Sequence, residues 1–335
     1  MKIQHNISLK PYNTFGIDVK ATQFVEITSL DDLKTFLNTE KDFFTLGGGS
    51  NILLTNTIDK PVIHINTKGI AIIKQTNRHV FVKAQAGENW HAFVRWCIVH
   101  NFGGVENLSL IPGNVGTTPI QNIGAYGVEV KDTIYEVEAL EISTLSTLTF
   151  TNEDCAFGYR NSIFKNEAKG KYIITGVTFK LTKKHHQLNS SYGAIQSELD
   201  TQHCKNPTIA DISKAVIAIR QHKLPNPEEI GNGGSFFKNP VITNTSFEMF
   251  IKKYPEAPHY IVSNDTVKIP AGWLVEQCGF KGKRFGDAGV HKNQALVLVN
   301  YGDATGEEIV ALSEKIQQAV KKKFGIQLET EVNII

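Results

Sequence analysis

Residues 111–127 read Ile-Pro-Gly-Asn-Val-Gly-Thr-Thr-Pro-Ile-Gln-Asn-Ile-Gly-Ala-Tyr-Gly, a run with four glycines, two prolines and no charged side chain. That composition suits a backbone cradle for a phosphate-bearing cofactor. Glycines let the main chain approach a ligand closely and take up positive φ, while Thr117, Thr118 and main-chain N–H groups offer donors to anionic oxygens. Affinity would then come from dipoles and not from lysines. Taken alone, the segment reads equally well as a long glycine-rich surface loop.

A second run, Gly47-Gly48-Gly49-Ser50-Asn51, follows an expected strand at 43–46 and leads into another at 52–54. Two strands joined by such a turn can clamp a pyrophosphate from the other side, although turns of this composition are common. The chain contains no Gly-x-x-x-x-Gly-Lys-Ser/Thr, and no Gly-x-Gly-x-x-Gly that leads from a strand into a helix. A P-loop and a Rossmann domain are therefore not expected.

The 335 residues leave room for two or three compact units at about 100 to 200 residues per domain. With 41% hydrophobic and 20% charged residues, the chain reads as an ordinary soluble globular protein. Its net charge of +2 writes neither a nucleic-acid-binding face nor an acidic tail into the overall balance. Cys97, Cys155, Cys204 and Cys278 are far apart and form no Cys-x-x-Cys pair, so a reduced cytoplasmic protein without structural zinc is expected. No export signal or apolar run long enough to span a membrane is read, and the scattered histidines lack His-Glu-x-x-His spacing.

Between residues 23 and 86 the pattern is mostly short strands, including 62–65, 70–74 and 80–84. A helix follows, because Trp90, Phe93, Val94, Cys97 and Ile98 form one apolar stripe that reads as core packing. Strands are expected at 134–142, 148–151 and 173–181. Thr208-Ile209-Ala210-Asp211 caps a helix carrying Ile212, Val216 and Ile219, and a domain boundary is placed at Pro225 and Pro227. Beyond it, Thr245-Ser246-Phe247-Glu248 predicts a capping box, and a short helix is expected from Pro270 to Gly279. The last helix starts at Thr305 with Glu308 three positions on and stops at Gly325, and a closing strand is expected at 326–335.

Gly231-Asn232-Gly233-Gly234-Ser235-Phe236-Phe237-Lys238-Asn239-Pro240 places one serine on a flexible approach backed by two aromatics. A hydroxyl there can deliver a proton; the bland alternative is a turn leading into a Phe-Phe core anchor. Gly-x-Ser-x-Gly is absent, so the nucleophile elbow of an α/β-hydrolase does not fit. Tyr159-Arg160 sets a guanidinium able to fork onto a carboxylate beside an aromatic, though it serves equally as a surface pair. In the expected last strand, Glu329 and Glu331 alternate with Leu328, Thr330 and Val332, which does not separate a catalytic carboxylate from a solvated one. Tyr192, Lys223, Tyr260 and Lys268 are equally open by themselves.

Together these segments closely resemble the UDP-N-acetylenolpyruvoylglucosamine reductase family. The resemblance runs through Asn13-Thr14-Phe15-Gly16, Gly47 to Asn51, Ala86-Gly87-Glu88-Asn89-Trp90-His91, Glu106-Asn107-Leu108, the run ending at Gly127, and Phe157-Gly158-Tyr159-Arg160. It continues through Lys223-Leu224-Pro225, Gly233 to Pro240, Ala271-Gly272-Trp273 and Leu328-Glu329-Thr330-Glu331-Val332. Ser191-Tyr192-Gly193 matches the tyrosine loop of the family's longer form. At Thr117-Thr118 the chain departs from serines common in the family, with the hydroxyls kept.

The resemblance implies an α+β fold, with an FAD-binding part of the vanillyl-alcohol oxidase and p-cresol methylhydroxylase type made of two subdomains, at 1–66 and 67–224. The terminal strand 326–335 would complete the first, and a substrate-binding domain would span 225–323. FAD would lie on Gly47, Gly48, Gly49, Ser50, Asn51, Ile111, Pro112, Gly113, Gly116, Thr117, Thr118, Ile120, Gln121, Asn122, Gly124 and Ala125. By the same resemblance, Arg160, Ser235 and Glu329 would be catalytic. Tyr126, Tyr159, Tyr192, Lys223, Asn239, Tyr260, Lys268 and Gln294 would hold a UDP-sugar.

The implied activity is NADPH-dependent reduction of the enolpyruvyl ether of UDP-N-acetylglucosamine to UDP-N-acetylmuramate, a step of peptidoglycan precursor synthesis. Small-molecule partners alone, a cytoplasmic monomer and no metal, membrane or nucleic acid are expected. Two other classes stay open. A related FAD-dependent oxidase would keep both glycine runs without needing Ser235, Arg160 and Glu329 together. A silent UDP-sugar-binding protein would keep the third domain and tolerate loss of the cradle.

Overall fold

The computed structural model describes all residues, Met1–Ile335. The chain forms two compact units. One comprises Met1–Ile7, Ala21–Gly48 and Ile58–His222, and the other Ser8–Lys20, Gly49–Thr57 and Lys223–Ile335.

The first unit holds a four-stranded sheet in the order Lys2–Ser8, Lys20–Ile27, Val62–Ile65, Phe44–Leu46, the last three pairing in parallel. Helix α1 (Leu30–Thr39) covers it: Leu33, Phe36 and Leu37 pack on Val25, Ile27, Ile63 and Ile65. Ser29 caps it, accepting from the Asp32 N–H at 3.0 Å. This helix corrects the sequence reading, which took residues 23–86 as mostly short strands and named no helix there, although Ser29, Asp31 and Asp32 spell a helix start.

The five-stranded antiparallel sheet of the same unit runs in the order Thr147–Thr151, Ile134–Glu141, Tyr172–Thr182, His79–Gln85, Ile70–Gln75. On it lies α2 (Trp90–Val99), whose Trp90, Phe93, Val94 and Cys97 are fully buried against Val80, Val82 and Phe179, as its stripe predicts. At α2's start, the Trp90 N–H donates to the Gly113 carbonyl at 3.0 Å, and Asn89 and Asn114 form an antiparallel bridge. The helix packed in the core therefore also anchors the glycine-rich run. Helices α3 (Gly193–Thr201) and α4 (Ile209–Lys223) pack on each other through Ile195, Leu199, Ile212, Val216 and Ile219. The expected cap on α4 is present, since Thr208 and Asp211 exchange side-chain to backbone bonds at 3.0 and 3.4 Å.

The second unit is built on the four-stranded sheet Gly231–Ser235, Val297–Asn300, Ala288–Val290, Arg284–Phe285 and a smaller sheet, Val241–Thr243, Thr266–Lys268, Tyr260–Ile261. Its helices are α5 (Asn244–Lys253), α6 (Ala271–Gln277) and α7 (Gly306–Phe324). The α7 capping box forms between Thr305 and Glu308, and Gly325 closes the helix at φ 70°. Ile309, Leu312, Ile316 and Val320 bury its stripe. For α5 the structure corrects the expected cap: Thr243, not Thr245, is the N-cap, because Thr243 ends a strand paired with Thr266 and the helix starts at the next residue. The expected closing strand 326–335 shrinks to Asn333–Ile334, parallel to Ile52–Leu53, and an isolated bridge between Phe237 and Thr330.

Candidate active site

In the first unit, the two glycine runs meet. A Cβ on Gly47 would stand 2.7 Å from Thr117 Cγ2, and one on Gly48 would stand 2.8 Å from Gly113 Cα, so only glycine lets these backbones touch. Val115–Thr117 forms one 3-10 turn, fastened by Gly116 N–H to the Ala86 carbonyl at 2.9 Å and Val115 N–H to the Glu88 carbonyl at 2.8 Å. The hydroxyls of Thr117 and Thr118 donate inside this turn, to Asn114 and Val115 carbonyls at 2.7 and 2.8 Å. The N–H groups of Thr117 and Thr118 are likewise engaged, by the same Asn114 and Val115 carbonyls at 3.0 Å each, so the turn is held rigidly by its own bonds.

The far side of the run is stitched to the segment carrying Arg160. Asn122, fully buried at φ 43°, donates to the Gly158 carbonyl at 3.0 Å and accepts from the Lys131 N–H at 3.1 Å. Ser162 donates to the Ile120 carbonyl at 2.7 Å, and Arg160 Nη2 to the Gly124 carbonyl at 2.8 Å. Gly124–Ala125 pairs with Val128–Glu129. Ile111 and Gln121 are half-buried and Pro112 exposed. The guanidinium of Arg160 lies 5.5 Å from the centroid of the exposed Tyr159 ring. Tyr126 meets Tyr192 edge-on at 5.4 Å, bringing together two residues 66 positions apart in sequence.

Sequence reasoning passed over several residues around this loop. Buried Asn107 donates to the carbonyls of Tyr126 and Asn189 at 3.3 and 2.8 Å. Buried Glu106 accepts from the Gly104 N–H at 2.6 Å, and desolvation pushes its carboxyl above the ordinary range. His91 Nδ1 accepts from the Leu110 N–H at 2.9 Å; burial, and then the charges of Arg95 and Arg220, hold its pKa below the usual value. Asn107, Glu106 and His91 stood inside runs already singled out, but nothing in their spacing marked them as supports. Arg220, near the end of α4, stands in no motif that would have singled it out.

In the second unit, Gly49 at φ 60° lies against the Tyr12 carbonyl, where a Cβ would fall at 1.9 Å. Thr14 N–H donates to the Gly49 carbonyl at 3.1 Å, while Thr14 Oγ1 is buried without a partner. Half-buried Ser50 follows, and Asn51 donates to the Glu331 carbonyl at 3.2 Å. Residues 236–238 run antiparallel to 329–331: Glu331 N–H donates to the Phe236 carbonyl at 2.8 Å and Lys238 N–H to the Glu329 carbonyl at 2.9 Å. Phe236 and Phe237 are buried, so the expected core anchor is present, while Ser235 at the end of its strand is exposed. Lys238 Nζ reaches Glu329 Oε2 at 2.9 Å, and the Glu329 side chain keeps 72% of its exposure.

Asn239 and Gln294 converge on α6: Asn239 Oδ1 accepts from the Ala271 N–H at 2.9 Å, and Gln294 Oε1 lies 3.2 Å from where a Cβ on Gly272 would be. Tyr260 and Lys268 pair across the small sheet, with Lys268 Nζ 5.8 Å from the Tyr260 ring centroid. Lys223 is exposed at the end of α4. No group of acidic, histidine or cysteine side chains is arranged to hold a metal, and no helix is long and apolar enough to cross a membrane.

Comparison with known proteins extends this picture along the whole chain. Residues 21–144 match an FAD binding domain, and residues 226–335 match the C-terminal domain of UDP-N-acetylenolpyruvoylglucosamine reductase. A curated UDP-N-acetylenolpyruvoylglucosamine reductase of Flavobacterium johnsoniae is 60% identical, with 100% of both chains covered. Its counterpart in Chromobacterium violaceum is 46% identical over 100% of this chain and 99% of its own. The crystal structure of the Thermus caldophilus enzyme shares the fold, at TM-score 0.69 and 23% identity over 100% and 99% of the two chains. With relatives this close from end to end, the chain belongs to the UDP-N-acetylenolpyruvoylglucosamine reductase family.

Proposed function

We propose that this chain reduces the enolpyruvyl ether of UDP-N-acetylglucosamine to the lactyl ether, yielding UDP-N-acetylmuramate for peptidoglycan precursors, with electrons from NADPH carried by FAD. The observation that carries this reading is the main-chain pairing of residues 236–238 with 329–331, by which the segment that follows exposed Ser235 runs beside the one that carries exposed Glu329.

The residues present fit a flavin. At Gly47 and Gly48 any side chain would strike Thr117 and Gly113, so the run stays bare backbone, and the orphaned Thr14 hydroxyl beside Gly49 supplies an unused polar group. Gly47 and Gly48 would hold its phosphates through main-chain dipoles, with the rigid turn at Val115–Thr117 packed against them. When bound, the reduced flavin supplies the hydride that adds to the vinyl carbon.

The chain's own side chains govern the charge and the proton. An enol ether accepts hydride only if charge arising at C2 spreads into the neighbouring carboxylate, so groups that stabilise this enolate must be in place beforehand. Arg160, fixed by its bond to the Gly124 carbonyl, brings a permanent cation of carboxylate-matching shape. Glu329 assists only as a hydrogen-bond donor, hence protonated, whereas the Lys238 ammonium 2.9 Å from Oε2 favours the carboxylate, so its protonation must accompany substrate binding. Ser235 Oγ gives its proton to C2, completing the CH–CH bond, and its exposed position lets solvent replace that proton. The substrate's diphosphate falls to Lys223 and Lys268, and its remaining polar groups to Tyr126, Tyr159, Tyr192, Asn239, Tyr260 and Gln294. The enzyme works as a cytoplasmic monomer.

The test is anaerobic. The purified yellow protein is reduced with NADPH, UDP-N-acetylglucosamine enolpyruvate is added, and the flavin absorbance is followed. Rapid return of the oxidised spectrum is expected. Colour restored only by oxygen would make the protein an oxidase, and absence of flavin would overturn the cradle assignment.

A further inference from the structure

Arg220, on α4, is the one guanidinium that touches both ends of the glycine-rich run. Its Nε donates to the carbonyl of Leu110, the residue immediately before the run, at 3.2 Å. The hydroxyl of Tyr126, at the run's far end, interacts with the same guanidinium. Both contacts are to neutral oxygens, and no carboxylate balances the charge.

The two gripped residues are unusual in themselves. Leu110 and Tyr126 adopt left-handed backbone conformations, at φ 58° and 52°, which costs side-chain-bearing residues of order 1 kcal/mol or more each and persists only where neighbours enforce it. At Leu110 the enforcement is complete: His91 takes its N–H at 2.9 Å while Arg220 takes its carbonyl. At Tyr126 the main-chain carbonyl is held by Asn107 at 3.3 Å and the hydroxyl by Arg220.

We infer that Arg220 is a positioning residue that clips the cradle's entry, Leu110, to its exit, Tyr126, and so pre-forms the loop for the flavin. A glycine-rich loop between two free ends would sample many shapes, and ordering it would subtract from cofactor affinity. A loop whose ends are already joined loses less freedom on binding. Arginine suits the task because its planar fork addresses two acceptors at once, which lysine does not. The same clip holds Tyr126 against Tyr192, so cradle and tyrosine pair are fixed by one side chain.

The experiment measures FAD affinity of the apoprotein by quenching of flavin fluorescence, alongside the melting temperature of each apo variant. Arg220→Met is expected to bind FAD about tenfold more weakly, equal to about 1.4 kcal/mol. Tyr126→Phe, which removes one oxygen atom and one of the two anchors, is expected to weaken binding about threefold with an unchanged melting temperature. The double variant should bind no more weakly than Arg220→Met within twofold, because a single guanidinium carries both contacts. Arg220→Lys should recover at most one anchor and resemble Tyr126→Phe. Wild-type affinity in Arg220→Met, or independent additive losses in the two single variants, would overturn the inference. If Arg220→Met does not fold, Tyr126→Phe decides: threefold loss upholds the clip and unchanged affinity refutes it.

Discussion

Lys238 holds Glu329 twice: its ammonium lies 2.9 Å from Glu329 Oε2, and its main-chain N–H donates to the carbonyl of the same glutamate, also at 2.9 Å. An exposed ion pair of this kind adds at most about 1 kcal/mol to stability. Its consequence is geometric, because it fixes which way the carboxyl faces. Lys238→Met should leave stability within about 0.5 kcal/mol of wild type. Anaerobic stopped-flow should show flavin reduction by NADPH within about twofold, and reoxidation by the enolpyruvyl sugar slowed by about tenfold, the equivalent of 1.4 kcal/mol of lost positioning. Equal slowing of both half-reactions would mean that Lys238 serves the fold and not the orientation of Glu329.

Ser235 is exposed at a strand end while the next two residues are buried, so its hydroxyl can be removed without disturbing the core. Ser235→Ala is expected to keep its flavin, its melting temperature and its rate of reduction by NADPH. Reoxidation by substrate should fall by about 10² to 10⁴, the usual range for loss of a positioned proton donor. Ser235→Cys, which restores a donor, should recover part of that loss. Product formed in deuterated solvent by the wild type should carry deuterium at C2, and a product without it would exclude protonation by an exchangeable group.

How far the fold could be read depended on whether its determinants were local. The α2 stripe and the Thr305–Glu308 box appear at the positions that their spacing dictates, because helix periodicity and capping involve residues three or four apart. The α5 cap could not be chosen that way. Thr243 and Thr245 both precede suitable residues, and the selection is made by pairing of Thr243 with Thr266 in another strand. Closure at 326–335 is similar: Leu328 and Val332 are buried as alternation requires, yet ladder length depends on partners far away in sequence. At the site, the glycine runs announced themselves by composition. Arg220 and Lys238 did not, since their meaning lies in reaching Leu110, Tyr126 and Glu329 across 94 to 110 and 91 positions of chain.

Gly47 and Gly48 give a paired prediction about the cradle. A methyl on Gly47 meets Thr117 Cγ2 at 2.7 Å, and Thr117 cannot easily rotate away because its hydroxyl is engaged by the Asn114 carbonyl. Gly47→Ala should therefore weaken FAD binding by about tenfold, and Thr117→Ser, which deletes the clashing methyl and keeps the hydroxyl, should restore it in the double variant. A methyl on Gly48 meets main chain at Gly113, 2.8 Å away, which no single side-chain change relieves. Gly48→Ala should bind FAD more weakly still, by an amount in the 1–3 kcal/mol range of overpacking. Titration of each apoprotein with FAD checks both, and failure of Thr117→Ser to rescue Gly47→Ala would show that the clash lies elsewhere.

His91 makes the cradle sensitive to acid. Its Nδ1 is an acceptor for the Leu110 N–H, so the ring must be neutral there, and burial together with Arg95 and Arg220 depresses its pKa. For a base with a depressed folded pKa, the unfolded chain takes up protons first as pH falls. The stabilisation is therefore present in full above the unfolded value of about 6.5 and is lost as pH drops through the folded pKa. His64 and His291 are depressed by burial in the same sense, so the effect of His91 is read as a difference between proteins. His91→Asn, which keeps a short acceptor but cannot titrate, should cost about 1 kcal/mol at pH 7.5. Between pH 7.5 and 5, urea unfolding should show the wild type losing more stability than His91→Asn. Bound FAD should also dissociate faster from the wild type at pH 5, because protonating Nδ1 releases Leu110 and with it the entry to the cradle. Identical acid sensitivity in the two proteins would mean that the Leu110 contact does not depend on the charge of the ring.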